Sequence, residues 1–155
     1  MFDIFKKKDF RIVSPICGKC IDISEVPDPV FSEKMLGDGF AVIPDGNMVV
    51  CPADGEITMI AETKHAVGIK TKDDKEILIH IGLNTVKLKG KGFECMVKEG
   101  KKVKAGEPIV RIDYDEINKQ EINLTTMVIF TQGYDKEVKL NCYGKEVKAG
   151  EAVIF

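Results

Sequence analysis

Histidine is nearly absent from this chain: there are two, His65 and His80, among 155 residues. Imidazole chemistry must therefore run through one or both of them. Also missing is any apolar run near the ~20 residues that a membrane-spanning helix needs. Basic residues show no surplus. Lysine and arginine number 23 against 25 acidic residues, a formal net charge of -2. The lysines are interleaved with acids, which argues against a nucleic-acid binder. No Walker-type glycine loop is present to cradle a nucleotide's phosphates. Within residues 1–8, Phe2, Ile4 and Phe5 precede three lysines. That order is the reverse of a secretory signal, and the segment is too short for one. It reads as the start of a short tail over residues 1–12.

The five cysteines are Cys17, Cys20, Cys51, Cys95 and Cys142. An odd count without a secretory signal points to reduced thiols and a cytoplasmic protein. Cys17-Gly-Lys-Cys20 has C-x-x-C spacing. A structural zinc would want a second such pair or two suitably spaced histidines, and the sequence has neither. A redox dithiol usually opens a helix, whereas Ile12, Val13, Ile21 and Ile23 nearby are β-branched. The two cysteines read as small residues on one strand.

What the chain does have is an ordinary globular composition, with 44% hydrophobic and 31% charged residues. This suits one domain, over residues 13–155. Short β-rich runs are broken by Gly, Pro, Asp and Asn about every eight to twelve residues, which predicts an all-β sandwich or barrel. Strands are expected at 41–43, 48–51, 56–61, 66–71, 76–81, 109–112, 126–130, 138–140 and 152–155. Residues 25–35 and 113–120 could each hold a helical turn or two, the first limited by Pro27 and Pro29.

Two phrases repeat. Ser14-Pro-Ile-Cys-Gly18 echoes Cys51-Pro-Ala-Asp-Gly55. Val103-Lys-Ala-Gly-Glu-Pro-Ile-Val110 echoes Val147-Lys-Ala-Gly-Glu-Ala-Val-Ile154. Each member of the second pair feeds a glycine turn into an apolar strand. The repeats suggest two similar β motifs packed together.

Both histidines fall in one expected hairpin, 66–71 and 76–81. With Asp73 and Asp74 as a two-residue turn, Val67 faces His80 and His65 faces Gly82. His65 and His80 then become diagonal neighbours on one face, about 7–8 Å apart at the backbone. A three-residue loop would instead place them on opposite faces. His80 lies in Ile77-Leu-Ile-His-Ile81, an apolar run of the kind buried on both faces. Gly82 leaves room for a large group and offers a carbonyl. Thr63 offers a hydroxyl that could fix the tautomer of His65.

A neutral imidazole has one lone pair for attack on phosphorus and one N–H for a carbonyl. A second imidazole can stabilise the phosphoryl oxygens. Positioning and electrostatics are most of what phosphoryl transfer asks of a protein.

At this point the residues resemble a known family. Ile77-Leu-Ile-His80-Ile-Gly82-Leu-Asn-Thr85-Val86, then Leu88-Lys-Gly90-Lys-Gly92-Phe93, resembles the phosphorylation signature of glucose-type enzyme IIA of the bacterial sugar phosphotransferase system. Thr63-Lys-His65-Ala66 resembles the segment holding its second histidine. Val26-Pro27-Asp28 through Gly37-Asp38-Gly39 resembles its early loop.

The resemblance implies an antiparallel β-sandwich with duplicated motifs. It implies that His80 accepts a phosphoryl group through Nε2 from HPr, that His65 stabilises the phosphate, that Thr63 orients His65 and that the Gly82 carbonyl holds His80. It further implies passage of the phosphoryl group to a cysteine of the IIB domain of a sugar permease. Partners would dock on an apolar rim of Val30, Phe31, Met35, Leu36, Val67, Leu78 and Val86, with Asn84 beside it. No cofactor is required. Zinc at His65 and His80, completed by a partner's carboxylate, is a regulatory option, and a zinc-assisted binding protein without transfer is the alternative reading.

The chain departs from the family in a few places. Asn84 stands where Asp is common and Asp74 where a turn Gly is common, while Ala61 and Leu78 replace larger phenylalanines. Zinc endopeptidases of the lysostaphin type share the general fold but need a His-x-His pair, which is missing. A lipoyl-type carrier would want a different context around Lys75.

Overall fold

The computed structural model describes residues 11–117 and 121–154. Among these the chain forms thirteen strands. They are β1 (Ile12–Val13), β2 (Gly18–Asp22), β3 (Asp38–Pro44), β4 (Met48–Val50), β5 (Gly55–Ile60), β6 (Ala66–Thr71) and β7 (Glu76–Ile81), followed by β8 (Phe93–Cys95), β9 (Lys102–Val103), β10 (Pro108–Ile112), β11 (Thr126–Gln132), β12 (Glu146–Val147) and β13 (Ala152–Ile154). Among the described residues helix is confined to α1 (Pro29–Ser32), α2 (Tyr114–Ile117) and 3-10 turns at Ile23–Glu25 and Thr85–Leu88.

An eight-stranded sheet runs β12-β2-β3-β11-β7-β6-β5-β9, beside a three-stranded sheet β4-β10-β8 and the pair β1-β13. Every pairing is antiparallel. Ile57, Val67, Ile77, Ile79, Ile81, Ile109 and Val128 all belong to the main core cluster. The result is an antiparallel β-sandwich, as the sequence predicts.

The repeats are structural. Gly18 pairs with Val147 and Gly55 with Val103, so each early phrase meets one late phrase. A Cβ at Gly18 or Gly55 would strike the main-chain oxygen of Ile43 or Lys70, which accounts for glycine in both copies. Gly150 N donates to Ser14 O at 2.9 Å and Gly106 N to Cys51 O at 2.7 Å. The halves also exchange bonds: Val13 N donates to Pro52 O at 2.8 Å and Val50 N to Pro15 O at 2.7 Å.

Three expectations need correction. Residues 138–140 form no strand. Val138 is buried, and its N–H donates to Asp38 Oδ2 at 2.9 Å instead of entering a ladder. Ile12, placed at the end of the tail, is fully buried in β1 opposite Ile154; the tail's residues 1–10 lie outside the described residues, as do 118–120 of the second helical stretch and Phe155. The β6–β7 turn holds three residues, not two. Ala66 faces His80 and Val67 faces Ile79. Asp74 N donates to Thr71 O at 3.0 Å, and Asp74 takes φ 64, the left-handed position of a three-residue hairpin loop.

Candidate functional site

Strand β7 alternates. Ile77, Ile79 and Ile81 enter the main core, while Leu78 and His80 face the other side of the sheet. That side is only partly covered, so β7 is not buried equally on both faces. Its cover is the segment after β2. Asp22 caps the 3-10 turn Ile23–Glu25, accepting from Ser24 N at 3.0 Å. Asp28 caps α1, accepting from Val30 N at 3.0 Å, with Pro29 in the first turn. Both are ordinary N-cap devices. They set Ile23, Val26 and Phe31 over Ala41, Met127 and Ile129 in a second apolar cluster, with Leu83 and the half-buried Leu78. His80 sits against it, its ring centroid 4.9 Å from that of Phe31.

The His65 and His80 ring centroids lie 5.0 Å apart at 76°, edge to face. The corrected register alone would have separated them. They meet because His65 stands outside β6. Ala61 N donates to Ala66 O at 2.9 Å, and Lys64 takes φ 61. The β5–β6 loop therefore closes tightly just before the ladder, and strand alternation does not govern the His65 side chain. The His65 carbonyl still accepts from Ile81 N at 2.7 Å, which anchors its main chain beside His80.

Each ring is fixed at Nδ1. His80 Nδ1 lies 3.0 Å from Gly82 O. A carbonyl only accepts, so Nδ1 carries the proton and the Nε2 lone pair is left for chemistry. Gly82 takes φ 80, and a Cβ there would fall 2.5 Å from Thr85 Cγ2 and 2.9 Å from Asn123 O. Its carbonyl is aimed by a braced segment: Gly82 N donates to Thr125 O at 2.9 Å, Leu83 N to Asn123 O at 2.8 Å, and Thr85 Oγ1 to Ile81 O at 2.6 Å. His65 Nδ1 lies 2.6 Å from Thr63 Oγ1.

Burial, then the neighbouring His65, lowers the pKa of His80 to about 4, against opposing effects from the Gly82 carbonyl and the Asp28 carboxylate. Burial also lowers that of His65, opposed by its hydrogen bond with Thr63. Both shifts favour the neutral imidazole, in which one ring nitrogen keeps its lone pair.

The proposed rim divides. Val30, Met35, Leu36 and Val86 are 39%, 67%, 43% and 55% exposed. They lie on or just after α1 and on the Thr85–Leu88 turn. Asn84 is exposed at the start of that turn, in the left-handed region at φ 59 with no side-chain cap bond. Phe31 is only 6% exposed and meets His80 directly. Val67 is a correction. It is fully buried in the main core opposite Ile79, because the three-residue turn reverses its face. Three further residues support the site: Asp28, Asn123 and Thr125. Asp28-Pro29 was a legible helix start; the brace at 123–125 carried no local signal.

A half-buried imidazole fixed by a carbonyl thus stands against a second imidazole, beside exposed apolar residues. The family model for "phosphoenolpyruvate-dependent sugar phosphotransferase system, EIIA 1" matches residues 10–136, and the chain belongs to that family. It is 47% identical over 126 residues to a PTS system glucose-specific EIIA component of Bacillus cereus, covering 81% of this chain and 76% of that one. It is 46% identical over 144 residues to a PTS system glucose-specific EIICBA component of Staphylococcus carnosus, covering 93% of this chain but only 21% of that one. The solved glucose permease IIA from Mycoplasma capricolum superposes with a TM-score of 0.87 at 40% identity, covering 97% of both chains.

Proposed function

We propose that this chain is a phosphocarrier of a sugar phosphotransferase system. His80 Nε2 attacks the phosphorus of phospho-HPr; a new N–P bond forms as the donor's N–P bond breaks. His65 Nε2–H donates to the phosphoryl oxygens, with the Thr63 hydroxyl donating to Nδ1 to hold that tautomer. A cysteine thiolate of a IIB domain then takes the group for coupled sugar import and phosphorylation. The observation that carries this reading is the 3.0 Å contact of His80 Nδ1 with Gly82 O, which reserves Nε2 as the nucleophile. The fusion named in the EIICBA relative supports a IIB domain as acceptor, and this transfer takes place in the cytoplasm. Among the described residues no helix is long and apolar enough to cross a membrane.

The chemistry needs no cofactor. The two imidazoles are of the ligand type that zinc takes and would supply two of its four ligands. Among the described residues no cluster of three His, Cys, Asp or Glu side chains completes one, so zinc would need a partner's carboxylate.

Incubation with phosphoenolpyruvate, enzyme I and HPr, followed by mass spectrometry under conditions that preserve phosphohistidine, tests the reading. The label is expected on His80. A label on any other residue rejects the assignment.

A further inference from the structure

Two thiols lie together outside the histidine site. Cys142 Sγ is 3.2 Å from Cys20 Sγ, although 122 positions separate them in sequence. The main chain enforces this approach. Gly144 N donates to Cys20 O at 2.7 Å and Cys20 N donates to Lys145 O at 2.9 Å. The turn that carries Cys142 is thus stitched to β2 at Cys20 itself. Cys20 is fully buried and Cys142 is partly exposed. Cys17, the other half of the C-x-x-C stretch, is engaged elsewhere: its Sγ accepts from Ala149 N at 3.3 Å.

The internal repeat shows whether the fold needs sulfur here. Ile57 is the counterpart of Cys20, and Lys98 that of Cys142. Ile57 N donates to Lys101 O at 2.9 Å, Gly100 N to Ile57 O at 2.8 Å and Lys101 N to Lys98 O at 3.1 Å. Cys20, Gly144 and Lys145 make the same three bonds in their half, the last to Cys142 O at 2.9 Å. One copy of the motif is therefore built with isoleucine and lysine, the other with two facing thiols.

We propose that Cys20 and Cys142 form a reversible disulfide site, oxidised by a hydroperoxide such as hydrogen peroxide, that fastens the turn before β12 to β2. The more accessible Cys142 meets the oxidant first. Its sulfur attacks one peroxide oxygen: an S–O bond forms, the O–O bond breaks, and the departing hydroxide leaves as water with the thiol proton. Cys20 sulfur then attacks the sulfenic sulfur. The S–S bond forms, the S–O bond breaks, and the hydroxyl leaves as a second water with the Cys20 proton. Two thiols and one peroxide give one disulfide and two waters, a two-electron oxidation. Burial, followed by the bond and charge of Cys142, pushes the Cys20 thiol far above its ordinary pKa. Cys20 therefore stays a neutral thiol that does not attack peroxide, and it gives up its proton only as its sulfur meets the adjacent sulfenic acid.

The test uses the full chain, reduced, desalted and treated with equimolar hydrogen peroxide. Free thiols are then blocked with N-ethylmaleimide, and the protein is digested without reductant. The expected product is a Cys20–Cys142 linked peptide that dithiothreitol releases, accompanied by a Tm rise of ~5 °C or more from closing so long a loop. Cys142→Ser should abolish both, and Cys20→Ser should stop at a Cys142 sulfenic acid that dimedone traps. The wild-type peptide map decides the matter even if a variant folds poorly. A link through Cys17, oxidation of Cys142 to the sulfinic acid with Cys20 still free, or five unmodified thiols would each overturn the proposal. None of these outcomes bears on the phosphocarrier reading.

Discussion

The Gly82 carbonyl oxygen lies 3.0 Å from Nδ1 of His80, and this contact between residues two apart determines which ring nitrogen keeps a free lone pair. The geometry depends on a left-handed glycine. In Gly82→Ala the new methyl group would crowd Thr85 and the Asn123 carbonyl. A loss of ~2–4 kcal/mol in urea unfolding is expected from strain and overpacking. The His80 ring nitrogens should also lose their single-tautomer signature in nitrogen-15 spectra. An unchanged tautomer in a destabilised protein would show that the carbonyl is not what selects it.

The two histidines are expected to fail differently. His80→Ala should take up no phosphoryl group from phospho-HPr. His65→Ala should still accept at His80, but onward transfer should slow by ~100-fold or more, the usual cost of one donor to a developing oxyanion. Separate rapid-quench measurement of the two half-reactions distinguishes these outcomes. An unchanged rate of onward transfer would remove the helper role from His65.

The Thr63 hydroxyl lies 2.6 Å from His65 Nδ1. Thr63→Val should slow onward transfer about tenfold, near the value of one hydrogen bond, with Tm little changed. Thr63→Ser should restore the rate. If serine does not rescue, the hydroxyl is not the operative group.

The pKa of His80 is about 4 in the folded chain, against 6.5 ordinarily. Between these values the unfolded chain binds a proton that the folded chain refuses. This contribution to stability is complete above pH 6.5 and is lost as pH falls towards 4. Its size from pH 6.5 to pH 5 is on the order of 2 kcal/mol. His65 shifts in the same direction. Urea unfolding of wild type and His80→Gln across this range should show a shallower fall in the variant. Parallel curves would mean that His80 titrates normally.

Val67 and Val86, both expected on the apolar rim, stand in opposite surroundings, 0% and 55% exposed. Val67→Ala should cost ~2–3 kcal/mol by opening a core cavity. Val86→Ala should leave stability within ~0.5 kcal/mol while raising the KM for phospho-HPr. A stability loss in Val86→Ala as large as that of Val67→Ala would undo the division between core and rim.

Much of this architecture was legible because β periodicity and repeated phrases are local signals. Strands at 66–71 and 76–81 appear with the bounds expected. The register between them was not legible. It depends on whether Asp74 or its neighbour takes the left-handed position, and aspartate is permitted in either a two- or a three-residue turn. The pairing of the histidines was therefore anticipated by the wrong route: the expected register was one residue off, and it is the Lys64 turn that brings His65 round. Strands β1, β9 and β12 are two residues each, too short for a period to show. The burial of Phe31 against His80 is tertiary, set by how α1 lies on β3 and β11, and a single sequence carries no trace of it.

Strand β11 has a consequence for how the protein is born. It lies between β3 and β7, yet the ribosome makes it well after both histidines. His65 and His80 are synthesised early and housed late. Until Thr126–Gln132 emerges, the strand bearing His80 has one bare edge and Gly82 lacks its brace, so the setting of His80 is finished only when residues 123–132 have been made.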